Sequence, residues 1–261
     1  MKVWVLDLDG TLINPSKSSL IERDKILSFF ESDGSNLISK AEMYTLKHPL
    51  DFPWVYVGLP TAFVEDSYQW RSAQVKYLWR HLRTDKRQSD FSYKMIWTQL
   101  KMFWTQLKNE EIELMKGSKE FIEYLFDNGF KPVIVTNSAP TKVQRCSQAL
   151  PLVIPVYGDA KKYVVKKEHP LLIDGRKSYS ERPNYKKILN KIMSDFKTKP
   201  EDFFVVGDIY TLDLSLPYRL GMNCILIKND LEDGFKTPKV FIEHARKLNI
   251  PVVSCLEDLI A

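Results

Sequence analysis

Beyond Gly117 the chain alternates short apolar, β-prone runs with amphipathic stretches of helical period, and no other feature constrains its fold as strongly. Strands are predicted over residues 131–136, 152–157, 202–206, 223–227 and 251–254. Helices are predicted over 118–128, 142–150, 185–196, 212–220 and 238–248. Alternation of this kind builds a parallel sheet with helices on both faces. One further strand belongs to that sheet: residues 2–8 read Lys-Val-Trp-Val-Leu-Asp-Leu and end in the turn Asp9-Gly10-Thr11. Between them the spacing is helical, from Leu20, Ile21, Ile26 and Leu27 through Phe63 to Leu82 and again from Tyr93 to Leu107. Pro49, Pro53, Gly58 and Pro60 mark a loop between helices. The expectation is a doubly wound α/β core formed by residues 1–16 and 112–261, with a helical cap, 17–111, inserted after the first strand.

Composition fits a folded chain. Of 261 residues, 44% are apolar and 27% charged, which excludes a disordered chain, a collagen and a small disulfide scaffold. No apolar run approaches the roughly 18 residues that span a bilayer, and Asp7 and Asp9 interrupt the apolar start, unlike a secretory signal. Three cysteines without metal-ligand spacing predict a reducing, cytoplasmic setting. The net charge of +5 is too small to argue for nucleic acid, and it suits an enzyme drawing in small anions.

Ligands bind such sheets at the carboxyl ends of the strands. Those ends read Asp7-Leu8-Asp9-Gly10-Thr11, Thr136-Asn137-Ser138 and Gly207-Asp208 with Asp213 close behind. No Gly-x-Gly-x-x-Gly or Walker sequence accompanies them. Four aspartates at one edge cannot all stay ionised unaided: either a divalent cation neutralises them or one keeps its proton, and oxygen-only ligands favour Mg²⁺. A carboxylate such as Asp7 can attack phosphorus, and a second one two residues on can serve as general acid and base. Thr136 and Asn137 can donate to phosphoryl oxygens.

These residues carry a family resemblance. Val5-Leu6-Asp7-Leu8-Asp9-Gly10-Thr11-Leu12 resembles the first motif of the haloacid dehalogenase-like (HAD) superfamily. Val133-Ile134-Val135-Thr136-Asn137-Ser138 is similar to its second motif. Val205-Val206-Gly207-Asp208, with Asp213 and Leu220-Gly221-Met222, is similar to its fourth. The resemblance implies a Rossmann-like core, an aspartyl-phosphate on Asp7 and acid/base work by Asp9. It also implies a Mg²⁺ site of Asp7, Asp9 (through its carbonyl), Asp208 and Asp213, and a phosphate site at Thr136. Asp-x-Asp in the first motif favours phosphate transfer over dehalogenation.

At the third motif, where the family presents lysine, this chain has Glu181-Arg182-Pro183. Arg182 is the candidate cation, with Lys186 and Lys187 as rivals. The implied reaction is hydrolysis of a small phosphomonoester, such as a nucleotide or sugar phosphate. A phosphotransferase or mutase and a weakly catalytic binding protein remain open alternatives.

Several residues have a simpler reading. Asp213 could be an exposed first-turn helix residue, and Ser138 an N-cap. Trp70, Trp79, Trp97 and Trp104 fit helical core spacing, whereas Trp54 sits in the loop. The basic stretch Lys76, Arg80, His81, Arg83, Lys86 and Arg87 reads as a solvated helix face. Lys161, Lys162, Lys166 and Lys167 read as an exposed hairpin around Tyr163-Val164-Val165.

Overall fold

A computed structural model describes residues 1–28, 34–82, 112–151 and 153–260. In chain order its strands are β1 (Val3–Leu6), β2 (Trp54–Tyr56), β3 (Leu59–Ala62), β4 (Lys131–Val135), β5 (Val156–Tyr157), β6 (Pro170–Ile173), β7 (Arg176–Tyr179), β8 (Phe203–Gly207), β9 (Asn223–Ile227) and β10 (Val252–Val253). The helices are α1 (Ser16–Ser28), α2 (Gly34–Lys47), α3 (Ser67–Leu82), α4 (Ser118–Asp127), α5 (Pro140–Ala149), α6 (Pro183–Phe196), α7 (Ser215–Arg219) and α8 (Lys239–Lys247). Six strands make one parallel sheet in the order β10-β9-β8-β1-β4-β5. From β1 the chain continues outward to β4 and β5, then returns to build β8, β9 and β10 on the other side. The switch in direction falls between β1 and β8, where a crevice opens at the strand ends.

Alternating side chains sort the core into two layers, as the period of two requires. Val3, Val5, Val133, Val135, Phe203 and Val205 face one way and pack on Tyr185, Leu189 and Ile192 of α6 and Phe241 and Ala245 of α8. Leu6, Ile134, Val206, Ile225 and Ile227 face the other way, toward Phe121, Ile122 and Leu125 of α4. The sheet is therefore buried on both faces, which explains why its strands are near-continuous apolar runs.

The segment after β1 leaves and re-enters the core at one place. Ile13 bridges Leu114, Asn14 N–H donates to Glu113, and Ser118 Oγ donates to the Leu12 carbonyl at 3.0 Å. Between these points lie α1, α2, α3 and the hairpin β2–β3. Ile26, Ile38, Ala41, Val75 and Leu78 pack the three helices together. A second cluster, Phe52, Val64, Trp70 and Ala73, closes on Phe235 from the loop after β9. Beside it Arg71, fully buried, donates to Ser19 Oγ, to Glu42 Oε1 and to the Asp233 carbonyl, and lies 3.6 Å from the Asp233 carboxylate.

The inserted segment is not wholly helical. Residues 54–62, expected as a loop, form a hairpin whose turn, Val57-Gly58, has both φ angles positive. A second hairpin, β6–β7, turns at Asp174-Gly175 in the same way; Asp-Gly is a strong hairpin signal. Among the described residues of the expected strand 152–157, Val156 and Tyr157 pair in register with β4, and Pro155 accepts from Ile134 N–H at 2.9 Å but has no N–H to extend the ladder. Trp70 is buried, and Trp54 is 39% exposed with its ring 5.4 Å from that of Tyr163. The helical expectation over 93–107, with Trp97 and Trp104, lies outside the described residues, as do Arg83, Lys86 and Arg87. Among the described residues no helix is long and apolar enough to cross a membrane.

Removing one partner of a buried ion pair strands the other charge. Arg71→Met should therefore lower unfolding stability by about 3 kcal/mol in urea denaturation. A loss below about 1 kcal/mol would show that Glu42 and Asp233 are not held by this residue.

Candidate active site

Asp7 follows β1 directly, and its N–H donates to the Val206 carbonyl at 3.0 Å, so the nucleophile candidate is fixed by the sheet ladder itself. Asp208 follows β8, the neighbouring strand. Asp213 stands on a single π-turn (Tyr210–Leu214) before α7. Such wide turns recur at functional sites because they re-aim a side chain. The three carboxylates are buried, and one oxygen from each lies within 4.8 Å of the others. Asp213 is thus not the exposed helix residue that its position allowed. Its Oδ2 accepts from Ile209 N–H at 3.1 Å and its Oδ1 from a lysine.

Two glycines make this approach possible. Gly207 would carry its Cβ 2.5 Å from that of Asp213. Gly10 has φ +77° and would carry its Cβ 2.1 Å from Asp208 Oδ2. Asn229, after β9, ties the same corner by donating to the Gly10 carbonyl at 3.1 Å and to Asp208 Oδ2 at 3.0 Å.

The cation of the cluster is Lys162. Its Nζ donates to Asp7 Oδ1 and to Asp213 Oδ1, each at 2.7 Å, and its side chain is 1% exposed. The turn that carries it is stitched to the end of β4. Ala160 N–H donates to the Thr136 carbonyl, Asp159 N–H to the Ser138 carbonyl, and Lys162 N–H to Asn137 Oδ1 at 2.7 Å. Lys162 therefore does not belong to an exposed hairpin, and Asn137 braces the turn with its amide oxygen.

Arg182, the expected cation, is placed one layer back. Its guanidinium donates to Thr61 Oγ1 at 2.9 Å, to the Thr61 carbonyl at 2.7 Å and to the Lys162 carbonyl. Among the described residues no carboxylate lies within ion-pair distance of it, and burial pulls it down to about 10. The physical reason is directional: Arg182 precedes α6 and its planar fork fits the diverging carbonyls of Thr61 and Lys162. Lys186 pairs with Glu181, and Lys187 is exposed.

Asp9 has a separate environment. Ser138 Oγ donates to its Oδ2 at 2.5 Å, and Lys142 of α5 donates to its Oδ1. Ser138 thus serves Asp9, and the N-cap of α5 is Ala139. Thr136 is buried, and its Oγ1 accepts from Ser138 N–H at 3.1 Å. From the inserted segment, Asp66 caps α3 by accepting from Gln69 N–H at 2.6 Å, and Glu65 accepts from Thr211 N–H at 3.0 Å.

Electrostatics define what the cluster can hold. Burial is the largest influence on Asp7 and pushes it up to about 8 against the pull of Lys162, with Asp213 and Asp9 adding to the rise. Asp208 is also raised well above the ordinary carboxylate range, by burial and then by Asp213 and Asp7. With all three carboxylates ionised, as a bound cation would require, one ammonium leaves a deficit of two positive charges. Asp208 Oδ1 is buried and accepts no hydrogen bond. An all-oxygen donor set, a deficit of two charges and an idle carboxylate oxygen fit a divalent hard cation such as Mg²⁺. Asp7 and Asp208 have oxygens to offer it, whereas both oxygens of Asp213 are already engaged by protein donors.

The model of the haloacid dehalogenase-like hydrolase family matches residues 1–216. The chain belongs to that family and is a hydrolase of the HAD superfamily. Its fold resembles that of a predicted phosphoglycolate phosphatase from Haemophilus somnus, with TM-score 0.55 and 14% identity over 99% of this chain and 96% of that one. It also resembles a HAD-like protein of unknown function from Agrobacterium tumefaciens, with TM-score 0.57 and 13% identity over 99% and 96%. A putative HAD-like hydrolase from Bacteroides fragilis gives 0.54 and 13% over 99% of each chain. No curated protein matches the chain.

Sequence reading missed Lys162, Lys142, Asn229 and Asp66. The rule that ligands gather at strand ends also covers the residues after β5 and β9, and it reaches Lys162 and Asn229. Lys142 and Asp66 carry no comparable signal.

Gly10 and Gly129 both have positive φ, but nothing lies within 4 Å of an added Cβ at Gly129. Gly129→Ala should cost about 1 kcal/mol, from backbone strain alone. Gly10→Ala should cost about 3 kcal/mol, because overpacking against Asp208 adds to the strain. Equal losses in chemical denaturation would contradict this account of the loop.

Proposed function

We propose that this hydrolase is a Mg²⁺-dependent phosphatase acting on a small phosphomonoester through an aspartyl-phosphate on Asp7. The observation that carries the reading is the buried trio Asp7, Asp208 and Asp213 with Lys162 bridging two of its members. In this reading the core comprises residues 1–16 and 112–261, and residues 17–111 form the cap that shields the reaction from water. Asp7, the Asp9 carbonyl and Asp208 would hold the metal, and Asp213 would act beside it. When bound, Mg²⁺ supplies charge neutralisation at the phosphoryl oxygens.

The chain's own residues do the rest. Asp7, held by the β1–β8 ladder, attacks phosphorus in line with the departing oxygen, forming an O–P bond as the ester P–O bond breaks. Asp9 gives its proton to that oxygen, then takes one from the water that cleaves the aspartyl-phosphate. Lys162 stays on the Asp7 side and offsets charge on the phosphoryl group, which Thr136 also supports. Arg182 is a positioning residue, acting through the Lys162 carbonyl. Monoester hydrolysis is among the slowest uncatalysed reactions, so the site must supply about 20 kcal/mol or more. A placed nucleophile and concentrated positive charge are contributions of that order.

Hydrolysis of p-nitrophenyl phosphate tests the reading. Wild type should turn over with Mg²⁺, and EDTA should stop it. Asp7→Asn should fall about a thousandfold or more, and Lys162→Met about a hundredfold. Lys186→Met should stay within about twofold, because its ammonium pairs with Glu181 and not with the acid cluster. Hydrolysis that survives EDTA, or a fully active Lys162→Met, would overturn the assignment.

A further inference from the structure

Lys142 is a cation that the proposed chemistry leaves unused. Its ammonium donates to Asp9 Oδ1 and approaches Tyr68 Oη at 3.4 Å, and it lies 5.4 Å from the centre of the Tyr68 ring. Tyr68 belongs to α3 of the inserted segment and Lys142 to α5 of the sheet domain, so the contact spans the mouth of the crevice. Unlike Lys162, this lysine faces the opening: 29% of its side chain is exposed, with 20% of that of Asp9. An ammonium has three donors. Asp9 and Tyr68 account for two, and the third has no partner among the described residues.

The place of this cation follows from the role of Asp9. A general acid must reach the departing oxygen, so the leaving group extends from Asp9 away from Asp7. Lys142 then lies two hydrogen bonds, roughly 5–6 Å, from that oxygen. That is the reach of an anionic group one or two carbons along a small leaving group. Ser138 holds the other oxygen of Asp9, so Asp9 stays tethered when Lys142 shifts toward a ligand.

We propose that Lys142, with the Tyr68 hydroxyl, forms a subsite that selects phosphoesters whose leaving group bears its own anion, a carboxylate or a second phosphate. The proposal rests on the phosphatase reading and narrows its substrate class. A competing role for Lys142, positioning Asp9 alone, predicts a different pattern.

Three matched esters distinguish the two: the phosphate monoesters of glycolate and of ethylene glycol, and ethylene glycol bisphosphate. Wild type should show kcat/KM at least about tenfold higher on one or both anionic esters than on the neutral one, the gain expected of one charge-assisted hydrogen bond. Lys142→Met should bring that ratio close to one, and Lys142→Arg should restore part of it. A positioning role alone would lower all three rates and leave the ratio intact, which would overturn the proposal. Which anionic ester gains separates carboxylate from phosphate recognition.

Calorimetric binding of the same esters to Asp7→Asn, with and without Lys142→Met, reads the subsite without turnover. Tighter binding of an anionic ester that is lost with Lys142→Met supports the subsite even where p-nitrophenyl phosphate is not hydrolysed. Equal affinity for all three esters overturns it, and leaves the phosphatase reading to stand or fall on its own assay.

Discussion

The Lys162 ammonium, held between Asp7 and Asp213, is the contact on which the site is built. Carboxylates drawn together inside a protein repel one another and lose their hydration, so they need positive charge within bonding distance. Lys162 supplies it at two of the three acids. The rest of the corner has the geometry that this requires: glycine at 10 and 207 to let the acids approach, Asn229 to hold Asp208, and a π-turn to aim Asp213. The remaining deficit of charge and the all-oxygen donor set suit the corner to a hard divalent cation in the proposed reading.

The same lysine links the crevice to the inserted segment. Arg182 grips the Lys162 carbonyl with one hand of its fork and Thr61, from β3, with both. Thr61 Oγ1 in turn donates to the Tyr163 carbonyl. Glu65 receives Thr211, two residues from Asp213, and Arg71 holds the loop that carries Asp233 and follows Asn229. Each tie ends within a few residues of a catalytic candidate, so the position of the segment and the shape of the acid cluster are set by shared contacts. In the proposed reading these ties would let the segment exclude water from the strand ends.

Much of this was legible in the residues. The apolar runs predicted a parallel sheet because a strand buried on both faces cannot show a polar side. The acids after β1 and β8 were found because the strand-end rule says where to look. Arg182 was misjudged because its position in the chain was read without its direction: it lies in the right corner but turns its fork to backbone carbonyls. Lys162 was obscured by neighbouring Lys161, Lys166 and Lys167, since four lysines around a tyrosine suggest a solvated turn. The bonds from Asp159 to Ser138, from Ala160 to Thr136 and from Lys162 to Asn137 show that the turn folds inward. Such long-range contacts leave no period or spacing in a sequence. The two hairpins are a different case, because Asp174-Gly175 announced one of them.

The proposed reaction rests on a covalent bond from Asp7 to the phosphoryl group. The most direct test is acid quenching of the Asp9→Asn protein with Mg²⁺ and p-nitrophenyl phosphate, whose leaving group departs without a proton from residue 9, followed by peptide mass spectrometry. With the activation of water impaired, the account predicts a peptide containing Asp7 that carries one added phosphoryl group and loses it with hydroxylamine. A folded protein that turns over while Asp7 stays unmodified, or that carries the adduct on another residue, would contradict it.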